Sequence, residues 1–268
     1  MNTISGDLFP PSPRVIYRKA PLENVTCQLH FPPILRIDGQ APAEFQDRIR
    51  QAFPLVEREI NPLLPQLPPE FVQALAAQVG SGGYKFLTED RSSAITLTSR
   101  SLSFSTISYQ RWERFHEQFR VPLSALLDIY QPSFFLRIGL RYRNVIERER
   151  IGLASVPWSQ LLRKEILGEM AIKKFEENVQ DAKRVLRVGL PSNYAMLFQH
   201  GFGKAPGRDA LDYVIDFDFS SEEKTEVNDA ETVLDKLHEG AGRAFRWCLT
   251  DVLHNALDPA ALDDAAGR

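Results

Sequence analysis

The sequence predicts an α+β protein, built mainly from antiparallel sheet with long helices packed on one face. Two observations support this class. The apolar residues follow a period of two in some segments and about 3.6 in others, and short polar turns join neighbouring strand-like segments. A third observation concerns order, because strand, helix, three strands and helix follow one another twice. We therefore predict a duplicated β-α-β-β-β-α unit.

The first predicted unit spans residues 15–131. It opens with an alternating strand, and a helix follows in which Pro54 kinks or ends the regular pattern. A proline-rich connector, a short second helix and three strands come next. The unit closes with an amphipathic helix whose apolar stripe suits packing on a sheet. In chain order the predicted strands are 22–31, 84–89, 94–99 and 101–109, and the predicted helices are 41–60, 70–79 and 110–130.

The second predicted unit spans residues 132–257 and repeats this order. Its first strand is long, and its closing helix carries apolar residues along one side. The predicted strands are 134–149, 182–190, 194–202 and 210–220, and the predicted helices are 158–170 and 228–257. We expect flexible segments at both ends, an arm at residues 1–14 and a tail at residues 258–268.

Composition and charge restrict the class of protein. The 268 residues carry a formal net charge of −3, which gives no general attraction to nucleic acid or to anionic lipid. The two cysteines, Cys27 and Cys248, lie far apart in apolar sequence and are typical of buried thiols in a reducing compartment. No segment has the pattern of a signal peptide or of a membrane span. We predict a cytoplasmic protein with no membrane partner.

The segment RIGLRYRNVI, residues 137–146, is the most informative stretch. Strand alternation puts its three arginines on one face and Tyr142 and Asn144 on the other. Later strands add basic residues and the acidic residues Asp212, Asp216 and Asp218. The candidate binding residues are Arg137, Arg141, Tyr142, Arg143, Asn144, Lys183 and Arg187.

Two interpretations of these residues stay open. If the strands share a sheet, basic and acidic rows on a solvated face pair across strands, each pair contributing about 0.2–1 kcal/mol. Alternatively, the arginines line a surface for a phosphate, a nucleic-acid backbone or an acidic partner. Nucleic-acid binding would then depend strongly on salt, because contacts with phosphates release counterions.

Four stretches occur in an order that resembles a sporadically distributed bacterial family of conserved hypothetical proteins of about this length. They are YRKAPLENVTCQLHF, YQRWERF, RIGLRYRNVI and AFRWCLTDVLHNAL. The residues that carry the resemblance are Pro21, Leu22, Val25, Trp112, Phe115, Gly139, Leu140, Arg141, Tyr142, Asn144, Phe245, Thr250 and Asp251, with Phe245 shifted by one position. The resemblance implies no particular activity. The scattered distribution suggests accessory genes, such as antiviral defence or toxin–antitoxin loci.

A metal-dependent hydrolase or nuclease is a further alternative. Asp216 and Asp218 lie on one face of a strand, about 7 Å apart, and Glu222 follows closely with Lys224. Two or three carboxylates and a lysine can hold a divalent cation and polarise water beside a phosphodiester. However, Glu222 follows in a polar turn, whereas such a site needs it on a neighbouring strand.

Our main prediction is therefore a non-enzymatic protein with no cofactor and no resident metal. We expect it to dock a partner protein or to assemble with itself, because a repeated sheet unit offers strand edges that recruit partners. Nucleic-acid binding through the arginine-rich strand is the second hypothesis, and the hydrolase is the third.

Overall fold

The computed structural model describes Ile4 and residues 8–58, 83–204 and 210–261. The chain forms two compact units. Unit I comprises Val25–Gly139 and Glu222–Glu231, and unit II comprises Met1–Asn24, Leu140–Ser221 and Thr232–Arg268. The predicted division at residue 131 stays a prediction.

The described residues contain the following elements. The strands are β1 (Ile16–Tyr17), β2 (Leu22–His30), β3 (Leu55–Arg58), β4 (Tyr84–Leu87), β5 (Ser93–Thr98), β6 (Ser101–Thr106), β7 (Arg137–Ile146), β8 (Ala182–Leu190), β9 (Tyr194–Gly203), β10 (Asp212–Ser221) and β11 (Pro259–Ala260). The α-helices are α1 (Leu35–Gly39), α2 (Ala43–Ile49), α3 (Trp112–Tyr130), α4 (Trp158–Leu161), α5 (Lys164–Leu167), α6 (Lys173–Glu176), α7 (Ala230–Cys248) and α8 (Asp251–Ala256). Two 3₁₀ turns lie at Gly168–Ala171 and Val227–Asp229.

The strands of unit I pair in the order β3-β4-β5-β6-β2, and every pairing is antiparallel. The long helix α3 packs on this sheet through aromatic side chains. The ring of Phe104 on β6 lies 4.8 Å from that of Phe115 and 6.0 Å from that of Phe119, both on α3. Helix α2 also packs on this sheet, since its residue Phe45 contacts Phe86 of β4. The amphipathic helix predicted at residues 110–130 is therefore confirmed.

The strands of unit II follow the order β7-β10-β9-β8, and β8-β9 and β9-β10 are antiparallel. Aromatic rings fill the buried side. Phe198 and Phe217 stack at 4.3 Å, and Trp158 lies 5.7 Å from Tyr213. A separate antiparallel pair joins β1 to β11.

The two units have similar strand orders. In each, the first strand lies beside the last strand of the meander that follows it in the chain, and this meander has four strands in unit I and three in unit II. The α+β class with mainly antiparallel sheet and helices on the sheet is thus confirmed. The shared order agrees with the repeated pattern in the sequence, but it does not establish duplication, which stays a prediction.

One predicted helix is wrong over its second half. The helix expected over 41–60 ends at Ile49, and residues Leu55–Arg58 form strand β3. Pro54 explains the change, because proline has no N–H to donate and disfavours helical backbone in the residue before it. The four residues after Pro54 then pair with β4. The short helix predicted at 70–79 lies outside the described residues.

The single helix predicted at 158–170 is also wrong. This segment consists of α4, α5 and the 3₁₀ turn at Gly168–Ala171. The break between α4 and α5 occurs at Leu162 and Arg163, which have extended backbone. There the N–H of Arg163 donates to the carbonyl of Cys248 at 3.1 Å. A hydrogen bond to a distant part of the chain replaces the one that a continuous helix would form. Hydrophobic periodicity cannot predict such a tertiary hydrogen bond.

The closing helix is confirmed apart from one interruption. It begins at Ala230 and stops at Cys248, and α8 continues from Asp251. Thr250 caps α8, since its hydroxyl accepts a hydrogen bond from the N–H of Leu253. Within the predicted N-terminal arm, Phe9 is buried, and its ring lies 5.4 Å from that of Trp247. Flexibility of the predicted arm and tail stays a prediction.

Candidate functional site

Arg141, on strand β7, forms an ion pair within unit II. Arg141 on β7 donates from Nε to Oδ1 of Asp216 at 2.8 Å and from Nη2 to Oδ2 at 2.5 Å. The Asp216 side chain is 7% exposed and that of Arg141 is 45% exposed. Hydrogen bonding to Asp216 raises the pKa of Arg141 above its ordinary value. This bidentate pair neutralises both charges and ties β7 to β10.

The other two arginines of β7 also lie close to specific residues of the chain. Arg143 forms an ion pair with Glu23 on β2. In unit I, the guanidinium of Arg137 lies over Gly139, so that a side chain at Gly139 would overlap it. We infer that Gly139 is used here because the Arg137 side chain covers its backbone.

Tyr142 and Asn144 lie on the buried side of β7, opposite the arginines. The Tyr142 hydroxyl and Nδ1 of His238 on α7 are 2.8 Å apart. Asn144 donates from its side-chain amide to the carbonyl of Ile215 on β10 at 3.3 Å. Both polar groups are therefore used in packing between elements of unit II, as buried polar groups usually are.

Lys183 and Arg187 lie on β8, and their surroundings differ from those of the β7 arginines. Both residues are exposed. Directly opposite them on β9 are Gly201 and Leu197, which carry no charge. Among the residues that the structure describes, β9 is the only strand that pairs with β8, so β8 forms the edge of its sheet. The sequence selected these two basic residues for their charge, but it could not show that their strand is an edge.

β8 also exposes apolar side chains that sequence reasoning did not select. Val185 is 56% exposed on one face of the strand, and Leu186 is 44% exposed on the other. Ile172 and Phe175, in the segment that leads into β8, are exposed as well. The available signal was the charge on both faces of this strand, with Lys183 and Arg187 on one face and Arg184 on the other, because a strand with both faces buried would not carry it.

The buried side of the β8–β9 ribbon holds a histidine. His200 on β9 is buried, stacks on Phe198 at 4.3 Å, and has its Nδ1 2.8 Å from the Tyr213 hydroxyl. Burial, together with the nearby charge of Arg184, lowers the pKa of His200 from 6.5 to about 4. Burial also raises the pKa of Tyr213. A neutral imidazole that accepts a hydrogen bond from the tyrosine satisfies both groups.

The predicted metal ligands are not brought together as a set. Asp216 already accepts two hydrogen bonds from Arg141, and Asp218 lies opposite Leu197 of β9. Glu222 belongs to unit I, whereas both aspartates belong to unit II. Within the described ranges, no three His, Cys, Asp or Glu side chains form a group that could hold a metal ion.

Both cysteines are buried, as predicted, and burial raises the pKa of each thiol. Such thiols are poor nucleophiles. In the described part of the chain, no helix has the length and hydropathy that crossing a membrane requires.

Comparison with known proteins gives no family. No protein-family model matches the chain, and no curated protein is significantly similar to it. The resemblance to the sporadic bacterial family stays a prediction. The function must therefore be argued from the residues themselves.

Proposed function

We propose that this chain is an interaction protein without a catalytic step, and that it binds an extended segment of a partner protein by strand addition at β8. In this mode the partner forms main-chain hydrogen bonds with a sheet edge, and alternate side chains give specificity. The observation that carries the proposal is the exposure of a nine-residue edge strand with aliphatic side chains on both faces.

The backbone of β8 is the first feature that suits strand addition. An edge strand presents N–H and C=O groups that lack a neighbouring strand, and proteins shield such edges with short strands, prolines, bulges or charges. β8 is long and contains no proline. The charged residues of β8 are the main feature that prevents unwanted pairing with other strands. They repel a second basic strand, but they do not repel an acidic one.

The exposed side chains add affinity. Complete burial of a valine or leucine side chain contributes about 1.5–3 kcal/mol. Val185 and Leu186 are about half exposed, so covering both would contribute about 2 kcal/mol. This gain accompanies the main-chain hydrogen bonds of an added strand.

The β7 arginines fit a binding surface less well. A phosphate or acidic ligand at Arg141 would have to compete with a bidentate carboxylate that is itself buried. Arg143 likewise has Glu23 as its partner. Of the candidate basic residues on β7 and β8, Lys183, which is exposed and lies opposite Gly201, is therefore the best placed to meet a ligand.

The test is selection of displayed random nine-residue peptides on the immobilised protein, followed by affinity measurement with each selected peptide. The double variant Val185→Ser/Leu186→Ser should bind these peptides about 10- to 30-fold more weakly, because it loses about 2 kcal/mol of apolar burial. Val252→Ser, at an exposed valine on α8, is the matched control and should bind normally. Equal affinity of the double variant and the control would refute docking at β8.

A further inference from the structure

We propose that the segment added at β8 carries a large aromatic residue opposite Gly189 and an aliphatic residue opposite Val185. This inference rests on the strand addition proposed above and names the chemistry of the partner segment. It follows from the direction of the main-chain groups of β8 and from the space that Gly189 leaves open on the edge of the sheet.

The main chain of β8 shows which residues an added strand would meet. A Cβ at Gly201 of β9 would overlap the carbonyl oxygen of Ala182, so Ala182 directs its carbonyl towards β9. Main-chain groups alternate in direction along a strand. The odd-numbered residues, among them Lys183, Val185 and Gly189, therefore direct their N–H and C=O groups towards the edge. An antiparallel partner would form hydrogen-bonded pairs with Val185 and Gly189.

The local structure of β8 does not require a glycine at position 189. Gly189 does not have a positive φ. Its register with β9 runs without interruption from Ala182 to Leu190, so the strand has its regular form at this position. No atom of the described residues lies within 4 Å of a Cβ built at Gly189. A side chain would fit here, and a glycine weakens the strand.

Gly139 of β7 and Gly201 of β9 also lie inside strands, but their surroundings differ from those of Gly189. The Arg137 guanidinium takes the space of a side chain at Gly139, and the Ala182 carbonyl takes that space at Gly201. Gly189 is exposed on the edge strand, so its space is open to another molecule. A glycine inside a strand often marks a site where a ligand or another backbone approaches closely.

An aromatic side chain is the group that fits this space best. It can cover the exposed main chain of Gly189, and an aromatic residue across the strand offsets the stability that an edge glycine loses. Val185 lies on the same face of β8, is 56% exposed, and favours an aliphatic neighbour. Arg187 lies between them and already has an interaction within the chain, so we assign it no partner residue.

The orientation of the added strand sets the order of the two residues. The pairs β8-β9 and β9-β10 are both antiparallel, and antiparallel pairing is slightly more stable per residue than parallel pairing. In an antiparallel partner, the residue opposite Gly189 comes four positions before the residue opposite Val185. The proposed pattern is therefore an aromatic residue, three residues, and an aliphatic residue.

The first experiment uses a synthetic nine-residue peptide with phenylalanine at position 3, isoleucine at position 6, valine at position 7, and serine or threonine elsewhere. The isoleucine would lie opposite Leu186. The matched control peptide has alanine in place of phenylalanine. Fluorescence anisotropy measures the affinity of each peptide for the full chain. We expect the alanine peptide to bind about 10-fold more weakly, because it loses the partial burial of one aromatic side chain.

The second experiment fills the space on β8. Gly189→Val should bind the phenylalanine peptide about 10-fold more weakly, because its side chain occupies the position of the aromatic ring. The free energy of unfolding should stay the same or rise, since valine favours strands more than glycine does. Gly203→Val, at the last residue of β9, is the matched control, because a Cβ there also meets no described atom within 4 Å. It should bind normally.

The outcomes separate the two proposals. Equal affinity of the two peptides, or normal binding by Gly189→Val, would overturn the aromatic residue. If the displayed library still yields peptides that depend on Val185 and Leu186, strand addition stands without it. If no peptide depends on those residues, strand addition itself fails. A light-scattering mass of two chains for the parent and of one chain for Gly189→Val would assign β8 to a second copy and overturn both.

Discussion

Strands β7 and β8 both carry several basic residues, and in the sequence they resemble each other. In the structure they differ in what lies beside them. On β7, Arg141 meets a buried carboxylate of β10 and Arg143 meets Glu23. On β8, Lys183 and Arg187 lie opposite uncharged residues of β9 at the edge of the sheet.

This difference shows that the role of a basic strand is set by its neighbours. A cation beside a buried carboxylate stabilises the fold, because removing it leaves an uncompensated charge. Lys183, an exposed cation on the edge strand, should contribute little to stability and can meet a partner without breaking a buried pair.

The largest effect should come from Arg141→Glu. The variant removes both hydrogen bonds to Asp216 and puts a second negative charge beside it. Breaking a buried pair lowers the free energy of unfolding by about 3–5 kcal/mol. Because Arg141 is about half exposed, we expect a loss near the lower end of this range, at about 3 kcal/mol. Urea unfolding monitored by circular dichroism gives the free energy of unfolding.

Lys183→Glu is the matched reversal on β8 and should change the free energy of unfolding by less than about 0.5 kcal/mol. Equal losses for the two reversals would contradict the contrast between the strands. The double variant Arg141→Met/Asp216→Leu should recover much of the loss, because an apolar pair leaves no buried charge unpaired.

The second effect concerns the attachment of β8 to β9. Gly201 has φ of +149°, and a Cβ there would overlap the carbonyl oxygen of Ala182 on β8. Gly201→Ala should therefore destabilise the protein by about 2 kcal/mol and loosen β8. Amide hydrogen exchange of residues 182–190 measures the loosening directly.

Gly203→Ala on the same strand is the control, because nothing lies within 4 Å of a Cβ at that position. We expect it to differ from the parent by less than about 0.5 kcal/mol. If Gly201→Ala behaved like Gly203→Ala, the close approach of β8 to β9 would be wrong.

The third effect is a loss of stability in acid. The pKa of His200 is about 4 in the folded protein, below the ordinary value of 6.5. As the pH falls below about 6.5, the unfolded chain takes up a proton that the folded chain excludes, so stability is lost down to about pH 4. At pH 5 the loss from this group should be about 2 kcal/mol.

His200→Gln removes the titrating group and can retain a hydrogen bond to the Tyr213 hydroxyl. Urea unfolding of the parent and of His200→Gln at pH 7 and pH 5 measures the difference. The variant should lose less stability between the two pH values than the parent. An identical loss in both proteins would show that His200 is not the responsible group.

The smallest effect on stability should follow Lys183→Ala. This exposed side chain on an edge strand should change the free energy of unfolding by less than about 0.5 kcal/mol. A stability loss above 1 kcal/mol would place Lys183 with the structural cations of β7.

Local pattern predicted much of the fold and only part of the site. Alternation located β2, β7 and the meander strands, and the apolar stripe located α3, because those periods are properties of the segment itself. The helix expected at 158–170 failed, since Arg163 donates to Cys248, which lies 85 residues away in the chain. Complementary charges suggested cross-strand pairing, and Arg141 with Asp216 forms such a pair.

Strand order limits prediction of the candidate site. Lys183 and Arg187 were selected for their charge, but their importance depends on β8 being an edge. That position results from the pairing of β10 with β7, strands separated by more than 60 residues. Val185 and Leu186 were missed for the same reason, because an aliphatic run in a strand normally indicates a buried strand.

The central claim is that β8 is the strand that receives a partner. The most direct test is amide hydrogen exchange, measured by mass spectrometry, with and without a saturating peptide selected from the displayed library. The account predicts slower exchange in residues 182–190 and unchanged exchange in β5, a strand of unit I with neighbours on both sides. Slower exchange confined to other segments, with β8 unchanged, would contradict it.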